Sequence, residues 1–199
     1  MRVSRTALVC CAWAALGPLA SVVHAGDAPD YEALRVAPNA VTPTSIVDEM
    51  LRMAEVGAAD FVVDLGSGDG RLVIAAVQRF GARGGFGVDI SEGAVSYANA
   101  KAAEQGVADR VRFLRQDLFA TDIRAATVVT MYLFPSAMAR VRDKLQAELA
   151  PGTRVVSHDF PLPDWTPERV ARFAAPEKND SVGRADAVLY LYTVPPRRP

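Results

Sequence analysis

The run Val62-Val63-Asp64-Leu65-Gly66-Ser67-Gly68-Asp69-Gly70 constrains the fold more than any other part of the chain. An apolar stretch over 61–65 ends in three alternating glycines, and a helical pattern starts at Arg71. That order describes a buried strand, a tight glycine turn and a helix N-terminus in direct succession. In α/β proteins this junction stands at the carboxyl end of a strand, where nucleotide-like ligands bind.

The same alternation continues downstream. Residues 85–88, closing on Asp89, read as a second strand; 111–115, 127–133 and 154–157 follow as strands three to five. Between them lie helical patterns over 71–80, from Ser91 to about 105, and from Pro135 to about 149. Gly81, Gly84 and Gly85 break the first of these, Gly106 stops the second, and Pro151-Gly152 ends the third. Ahead of strand one, Thr44 or Ser45 can cap a helix running to about Val56, with Ile46, Val47, Met50, Leu51 and Ala54 on one face. Residues 169–174 and 187–194 read as a closing pair of strands. The pattern predicts an α/β fold: a three-layer, doubly wound, mostly parallel sheet with an antiparallel closing strand and right-handed crossovers. The apolar 127–133 run suits a strand buried on both faces.

Composition sets the limits around this domain. The chain has 199 residues, half of them hydrophobic, and a formal net charge of -1. That is enough for one well-buried domain and short for two. Residues 1–25 read as a signal peptide: Arg2 and Arg5 start it, 7–20 is apolar and uncharged, and Val23-His24-Ala25 is a small-residue cleavage site. An exported, periplasmic protein is therefore expected; the alternative is an N-terminal membrane anchor. The apolar stretch is short for a span of about 20 residues, so no stable span is expected once the leader is cleaved. Residues 26–43 form an extended lead-in and 44–195 the folded domain. Cys10 and Cys11 both lie in the leader, so the remainder has no disulfide, thiol nucleophile or cysteine metal site, and no metal is expected. No basic stripe is visible, which argues against a nucleic-acid partner.

The glycine spacing selects the ligand. A dinucleotide fingerprint needs a glycine at 71 for close helix–strand packing, and Arg71 stands there instead. No phosphate loop of the G-x-x-x-x-G-K-[ST] type occurs either. Asp-Leu-Gly-Ser-Gly-Asp-Gly resembles motif I of class I S-adenosylmethionine (SAM) dependent methyltransferases, whose fold is Rossmann-like. SAM carries a carboxylate and an ammonium rather than a pyrophosphate. Open amides of the turn, over Gly66, Ser67, Gly68 and Gly70, can receive the carboxylate, and Asp64 or Asp69 can attract the ammonium. Asp89, followed by Ile90 and ending strand two, can accept both ribose hydroxyls. The resemblance places Asp117, with Gln116 and Leu118 beside it, at the adenine. Three acidic residues closing three consecutive strands make one row along a cofactor crevice.

A narrower resemblance covers about residues 40–166. Thr42-Pro43-Thr44, the motif I segment through Ala76, Asp109-Arg-Val-Arg-Phe-Leu-Arg-Gln-Asp-Leu-Phe and Pro151-Gly-Thr-Arg-Val-Val-Ser-His-Asp-Phe are similar to small protein-lysine methyltransferases of the ATP synthase c subunit and adenine nucleotide translocase. That group implies that Thr42 and Pro43 border the cofactor and that the acceptor is a protein. Two departures stand out. The leader is unlike organelle enzymes, and strand four ends in Met131-Tyr132-Leu133-Phe134-Pro135 rather than the Asn-Pro-Pro-Tyr signature of amino-methylating DNA and glutamine enzymes. The expected function is methyl transfer from SAM to a nucleophile, with a protein lysine amine implied by the resemblance. The rivals are a non-catalytic exported SAM- or nucleoside-binding module and, disfavoured by Arg71, a nicotinamide oxidoreductase. Tyr132, His158 and Asp159 fall at the carboxyl edge where an acceptor would enter and are the catalytic candidates. His158 reads as a base or a structural hydrogen-bonder. Trp165 reads as a pocket wall or a loop anchor.

Overall fold

The computed structural model describes residues 36, 41–178 and 184–196. The leader over 1–25 and most of the lead-in lie outside them. In chain order the elements are α1 (Thr44–Met53), β1 (Phe61–Leu65), α2 (Arg71–Arg79), β2 (Gly84–Asp89), α3 (Glu92–Glu104), β3 (Val111–Arg115), β4 (Val128–Met131), α4 (Pro135–Glu148), β5 (Arg154–His158), β6 (Arg169–Ala174), a single 3-10 turn (Pro176–Lys178) and β7 (Asp186–Thr193). The strands form one sheet in the order β3-β2-β1-β4-β5-β7-β6. The first five are parallel, and β7 runs antiparallel to β5 and β6. This is the doubly wound, mostly parallel α/β sheet with an antiparallel close. The chain leaves β1 toward β2 and β3, then returns to add β4 on the other side. The carboxyl ends of β1 and β4 therefore mark the switch point where such sheets open a crevice.

Strand alternation divides the core. Val62 packs with Met50, Leu51, Val73 and Ile74 on the face covered by α1, α2 and α3. Val63 and Leu65 pack with Met131, Met138, Val141 and Leu145 on the α4 face. Asp64 shares the side of Val62 but lies at the strand's end, with Gly87 and Thr130 as its register partners. Among the described residues no helix is long and apolar enough to cross a membrane.

Several boundaries differ from the sequence reading for identifiable reasons. α1 is capped by Pro43, not by the side chain of Thr44 or Ser45. The Pro43 carbonyl accepts from the N–H groups of Ile46 and Val47 at 3.0 and 2.9 Å, and the ring holds φ at -55°. The helix stops at Met53 rather than Val56 because the chain turns at Glu55 (φ 51°), where Arg154 donates to the carbonyls of Ala54 and Glu55. β4 is shorter than 127–133. Thr127 spends its hydroxyl on Asp60 at 2.7 Å, and the N–H of Phe134 goes to the carbonyl of Val36 at 2.8 Å instead of a ladder.

Candidate active site

The turn after β1 is built from backbone that side chains resist. Gly66, Gly68 and Gly70 all lie in the left-handed region, at φ 80°, 51° and 77°, where an L residue with a Cβ is strained. Gly70 is also the N-cap of α2, and a Cβ there would sit 2.5 Å from the Phe113 ring. A glycine at 70 rather than 71 is thus what the contact with β3 requires. Gly87 on β2 belongs to the same assembly: a Cβ on it would lie 2.4 Å from that of Ser67. Sequence reading missed Gly87, although Gly-Gly-Phe-Gly-Val-Asp carried the signal of close backbone approach.

The turn's amides are largely engaged. Gly66 and Ser67 both donate to the Val88 carbonyl at 2.9 Å, Gly70 donates to Ser67 at 2.9 Å, and Gly68 donates to Asp89 Oδ2 at 2.9 Å. The expectation that these four stand open for a ligand carboxylate is corrected accordingly: the turn consumes them in holding its own shape. The Ser67 hydroxyl is different. It is the one buried side-chain polar atom among the described residues without a hydrogen-bond partner.

The acidic residues divide by environment. Asp64 is 3 % exposed and accepts from Thr130 Oγ1 at 2.7 Å. Burial, reinforced by the charges of Asp89 and Asp69 and opposed by Thr130, pushes its carboxyl up to about 7. Asp69 goes the other way. Burial raises it, but Arg71 at 2.8 and 2.9 Å and Lys101 at 3.0 Å outweigh that and bring it to about 2. Asp89 spans two elements, its Oδ2 on Gly68 and its Oδ1 accepting from the Ser91 N–H at 2.9 Å, where α3 begins. Asp117 Oδ1 accepts from the Phe119 N–H at 2.9 Å.

These groups line one cleft of about 390 Å³, within the usual range for small-molecule sites. In strand order, Gln116, Asp117 and Leu118 beyond β3 stand at one end, Asp89 and Ile90 at the end of β2 come next, and Asp64, Gly66, Ser67, Gly68 and Asp69 line it from β1 and its turn. Thr42 and Tyr132 stand at the other end. Gly70, the N-cap of α2, does not line the cleft. Pro43 is buried at the start of α1 and does not line it. Residues not anticipated there include Val36, Val41, Leu72, Ala94, Tyr97 and Leu133. Arg71 was read only as an obstruction. It lines the cleft, pairs with Asp69, and donates through Nη1 to the Thr42 carbonyl at 2.9 Å.

The three catalytic candidates do meet, but at different depths. Tyr132 lines the cleft and its hydroxyl donates to Asp159 Oδ2 at 3.1 Å. Burial first, then the Asp159 charge, pushes the phenol above its usual range. His158 is fully buried behind it, ring centroids 4.0 Å apart, with Nδ1 3.2 Å from Thr42 Oγ1. Burial, aided by the nearby cations Lys178 and Arg184, holds the imidazole below its usual range, so it is neutral near pH 7. Asp159, at φ 65°, accepts from Lys178 Nζ at 2.5 Å and from the Val188 N–H at 3.1 Å. Burial raises that carboxyl, but these hydrogen bonds outweigh it and keep it below the usual range. Trp165 lies away from the cleft, packed edge-on against Tyr192 at 6.1 Å, and anchors its loop. Among the described residues no group of three His, Cys, Asp or Glu could hold a metal ion.

Comparison with known proteins fits this geometry. The family described as the ANTKMT methyltransferase domain matches residues 64–169. A protein-lysine N-methyltransferase of Saccharolobus islandicus (strain REY15A) is 38% identical over 157 residues, covering 79% of this chain and 93% of its own length. The adenine nucleotide translocase lysine N-methyltransferase of Mus musculus is 44% identical over 109 residues, 55% of this chain and 47% of its own. This chain thus spans about half the length of that mammalian relative. Among solved structures, an RNA methyltransferase from Salinibacter ruber in complex with S-adenosyl-L-homocysteine is 43% identical, with a TM-score of 0.71 over 80% of this chain and 96% of that one.

Proposed function

The chain belongs to the ANTKMT methyltransferase domain family and is a SAM-dependent methyltransferase; we propose that its acceptor is the side-chain amine of a protein lysine. One observation carries this reading: a single cleft joins a row of carboxylates on β1 to β3 to a hydroxyl-bearing wall after β4.

The residues present fit SAM. Asp64 is a buried carboxyl that lines the cleft and, among the described residues, has no cationic partner, which suits it to an ammonium. The Ser67 hydroxyl is an unspent donor for a carboxylate. Asp89 keeps lone pairs on both oxygens for ribose hydroxyls after its two backbone bonds, and Asp117 with Leu118 is placed for adenine. Asp69 is committed to Arg71 and Lys101, so the ammonium role falls to Asp64. When bound, SAM supplies a methyl group already activated on a sulfonium. The protein's task is then alignment and exclusion of water.

Occupation of the β1, β2 and β3 ends by these contacts leaves the β4 end for the acceptor. There the Tyr132 oxygen, its hydroxyl already donating a hydrogen bond to Asp159, can accept an N–H and orient an amine. Its raised pKa keeps it neutral, so it positions the nucleophile and does not deprotonate it. His158 is too deep to serve as the base. The lysine therefore arrives as the free amine, against a reference pKa of about 10.4.

A protein acceptor is supported by the names of the relatives, and an RNA acceptor by the name of the Salinibacter ruber structure. The net charge of -1 and the absence of a basic stripe favour protein. Incubation of the chain with methyl-labelled SAM and a cell extract containing both protein and RNA tests the choice. Label in a protein band as methyl-lysine supports the proposal; label in RNA alone overturns it, and bound SAM without transfer supports a non-catalytic module. We further propose export through the leader at 1–25, supported by its basic start, apolar middle and Ala25 cleavage site. N-terminal sequencing of the periplasmic fraction should begin at Gly26; recovery of intact chain in the cytoplasm contradicts it.

A further inference from the structure

Lys178 lies in the short turn after β6, far in sequence from the glycine loop, yet it is 1 % exposed. A lysine this deep is held there by partners. Its Nζ donates to Asp159 Oδ2 at 2.5 Å, lies 3.4 Å from His158 Nε2, and stands 5.7 Å from the Tyr132 ring centroid. Asp159 Oδ2 is the same oxygen that accepts the Tyr132 hydroxyl. His158 passes the connection on to Thr42, which also lines that end of the cleft. Both of these cleft-lining residues are thus tied, through one buried charged pair, to the segment between β6 and β7.

We infer that Lys178 is a positioning residue for methyl transfer: its ammonium fixes the Asp159 carboxylate, which holds the Tyr132 hydroxyl in the orientation that receives the acceptor amine. The inference rests on the acceptor reading above. Three observations exclude a merely space-filling lysine. The ion pair is buried on both sides, with side chains 1 % and 3 % exposed. Asp159 keeps a left-handed backbone, φ 65°, that its own Val188 contacts and Lys178 must sustain. The shared Oδ2 couples the ammonium directly to the cleft-lining phenol. Among the described residues, the charged and titratable groups around the pair include Tyr132 just after β4, His158 from β5, and Arg184, which approaches just before β7 and is itself paired with Asp186 at 3.1 Å.

The test compares Lys178→Met, Lys178→Arg and Asp159→Asn in the full chain, reading kcat, KM, affinity for S-adenosylhomocysteine, and the NMR titration of His158. The chain has two histidines, the other in the leader, so the signal is readily assigned. Lys178→Met should lower kcat by about tenfold or more with affinity for S-adenosylhomocysteine changed less than about twofold. Lys178→Arg should recover part of that loss. Removing the cation should raise the His158 pKa, whereas Asp159→Asn should leave the ring neutral to lower pH; general structural damage would not move the two variants in opposite directions. A folded Lys178→Met protein with unchanged kcat, or with the same His158 titration, overturns the inference. If Lys178→Met does not fold, Lys178→Arg and Asp159→Asn decide it by the same readings. A wild-type chain that methylates no lysine defeats the acceptor reading separately, and the His158 titrations still decide whether Lys178 sets the electrostatics behind Tyr132.

Discussion

The two ends of the cleft are constructed by different means. At the cofactor end, backbone conformation and backbone N–H groups set the shape. Three left-handed glycines shape the turn, and carboxylates at strand ends accept N–H groups from neighbouring loops, as Asp89 does from Gly68 and Ser91. At the acceptor end, the contacts run from side chain to side chain. Thr42 reaches His158 across 116 residues, Tyr132 reaches Asp159 across 27, and Lys178 returns from beyond β6. The first end is a backbone device with side chains added. The second is a side-chain network hung on four segments: the lead-in to α1, the end of β4, β5 and the turn after β6. Backbone devices leave glycines at fixed spacing; networks assembled by tertiary packing leave no pattern in one sequence.

The largest effect that would break this contrast is steric. Gly87→Ala brings a Cβ within 3 Å of both Ser67 and the Phe113 ring. It should destabilise the protein by about 1–3 kcal/mol and abolish SAM binding. Gly68→Ala meets no atom within 4 Å, so only its φ of 51° costs anything, about 1–2 kcal/mol. Denaturant titrations of the two variants side by side check the order. Equal losses would show that the turn's shape is not set by the β2 contact.

Asp64→Asn comes next. Loss of a carboxylate facing the ligand ammonium should weaken SAM by about 1.5–3 kcal/mol, or about 10- to 150-fold. The sign of its pH effect is fixed by the shift. A carboxyl raised from 3.8 to about 7 in the folded state contributes stability below its unfolded pKa that is lost as pH climbs through about 7. Wild-type thermal stability should therefore fall from about pH 4 to about pH 7 and level off above it, and the Asn variant should be flatter. SAM affinity should rise over the same window, because binding requires the ionised form. An affinity independent of pH would remove Asp64 from the ammonium site.

Asp89→Ala tests the middle of the row. Its ribose contacts are worth about 1–3 kcal/mol, and the Gly68 N–H also loses its acceptor. An unchanged titration would take Asp89 out of the cofactor site. Tyr132→Phe is the sharpest separator of the two ends. It should reduce kcat by about tenfold while leaving S-adenosylhomocysteine affinity nearly intact. A matching loss of affinity would mean that the ends are not separate.

How much was legible follows the same division. β1, β3 and β6 were read to the residue, and α2, α3 and α4 to within one at their ends, because glycines, prolines and Ser91 punctuate them. Ser91 does accept from Ala94 at 3.3 Å as the N-cap of α3. The order of acidic residues at β1, β2 and β3 was visible because each closes an apolar strand. The state of each carboxyl was not. Asp64 and Asp69 are interchangeable in sequence, and only burial against Thr130, or pairing with Arg71 and Lys101, distinguishes them. Lys178 had no signal at all. A lone lysine after an edge strand reads as a solvated charge until packing places it under Tyr132.

The central claim is that this cleft binds SAM through Asp64 and the row beside it. Isothermal titration of the chain with S-adenosylhomocysteine on both sides of pH 7 tests it most directly. Saturable one-to-one binding that tightens as pH rises, and that Asp64→Asn weakens and renders insensitive to pH, is the predicted result. The absence of binding at millimolar ligand, with the protein folded, would contradict the account.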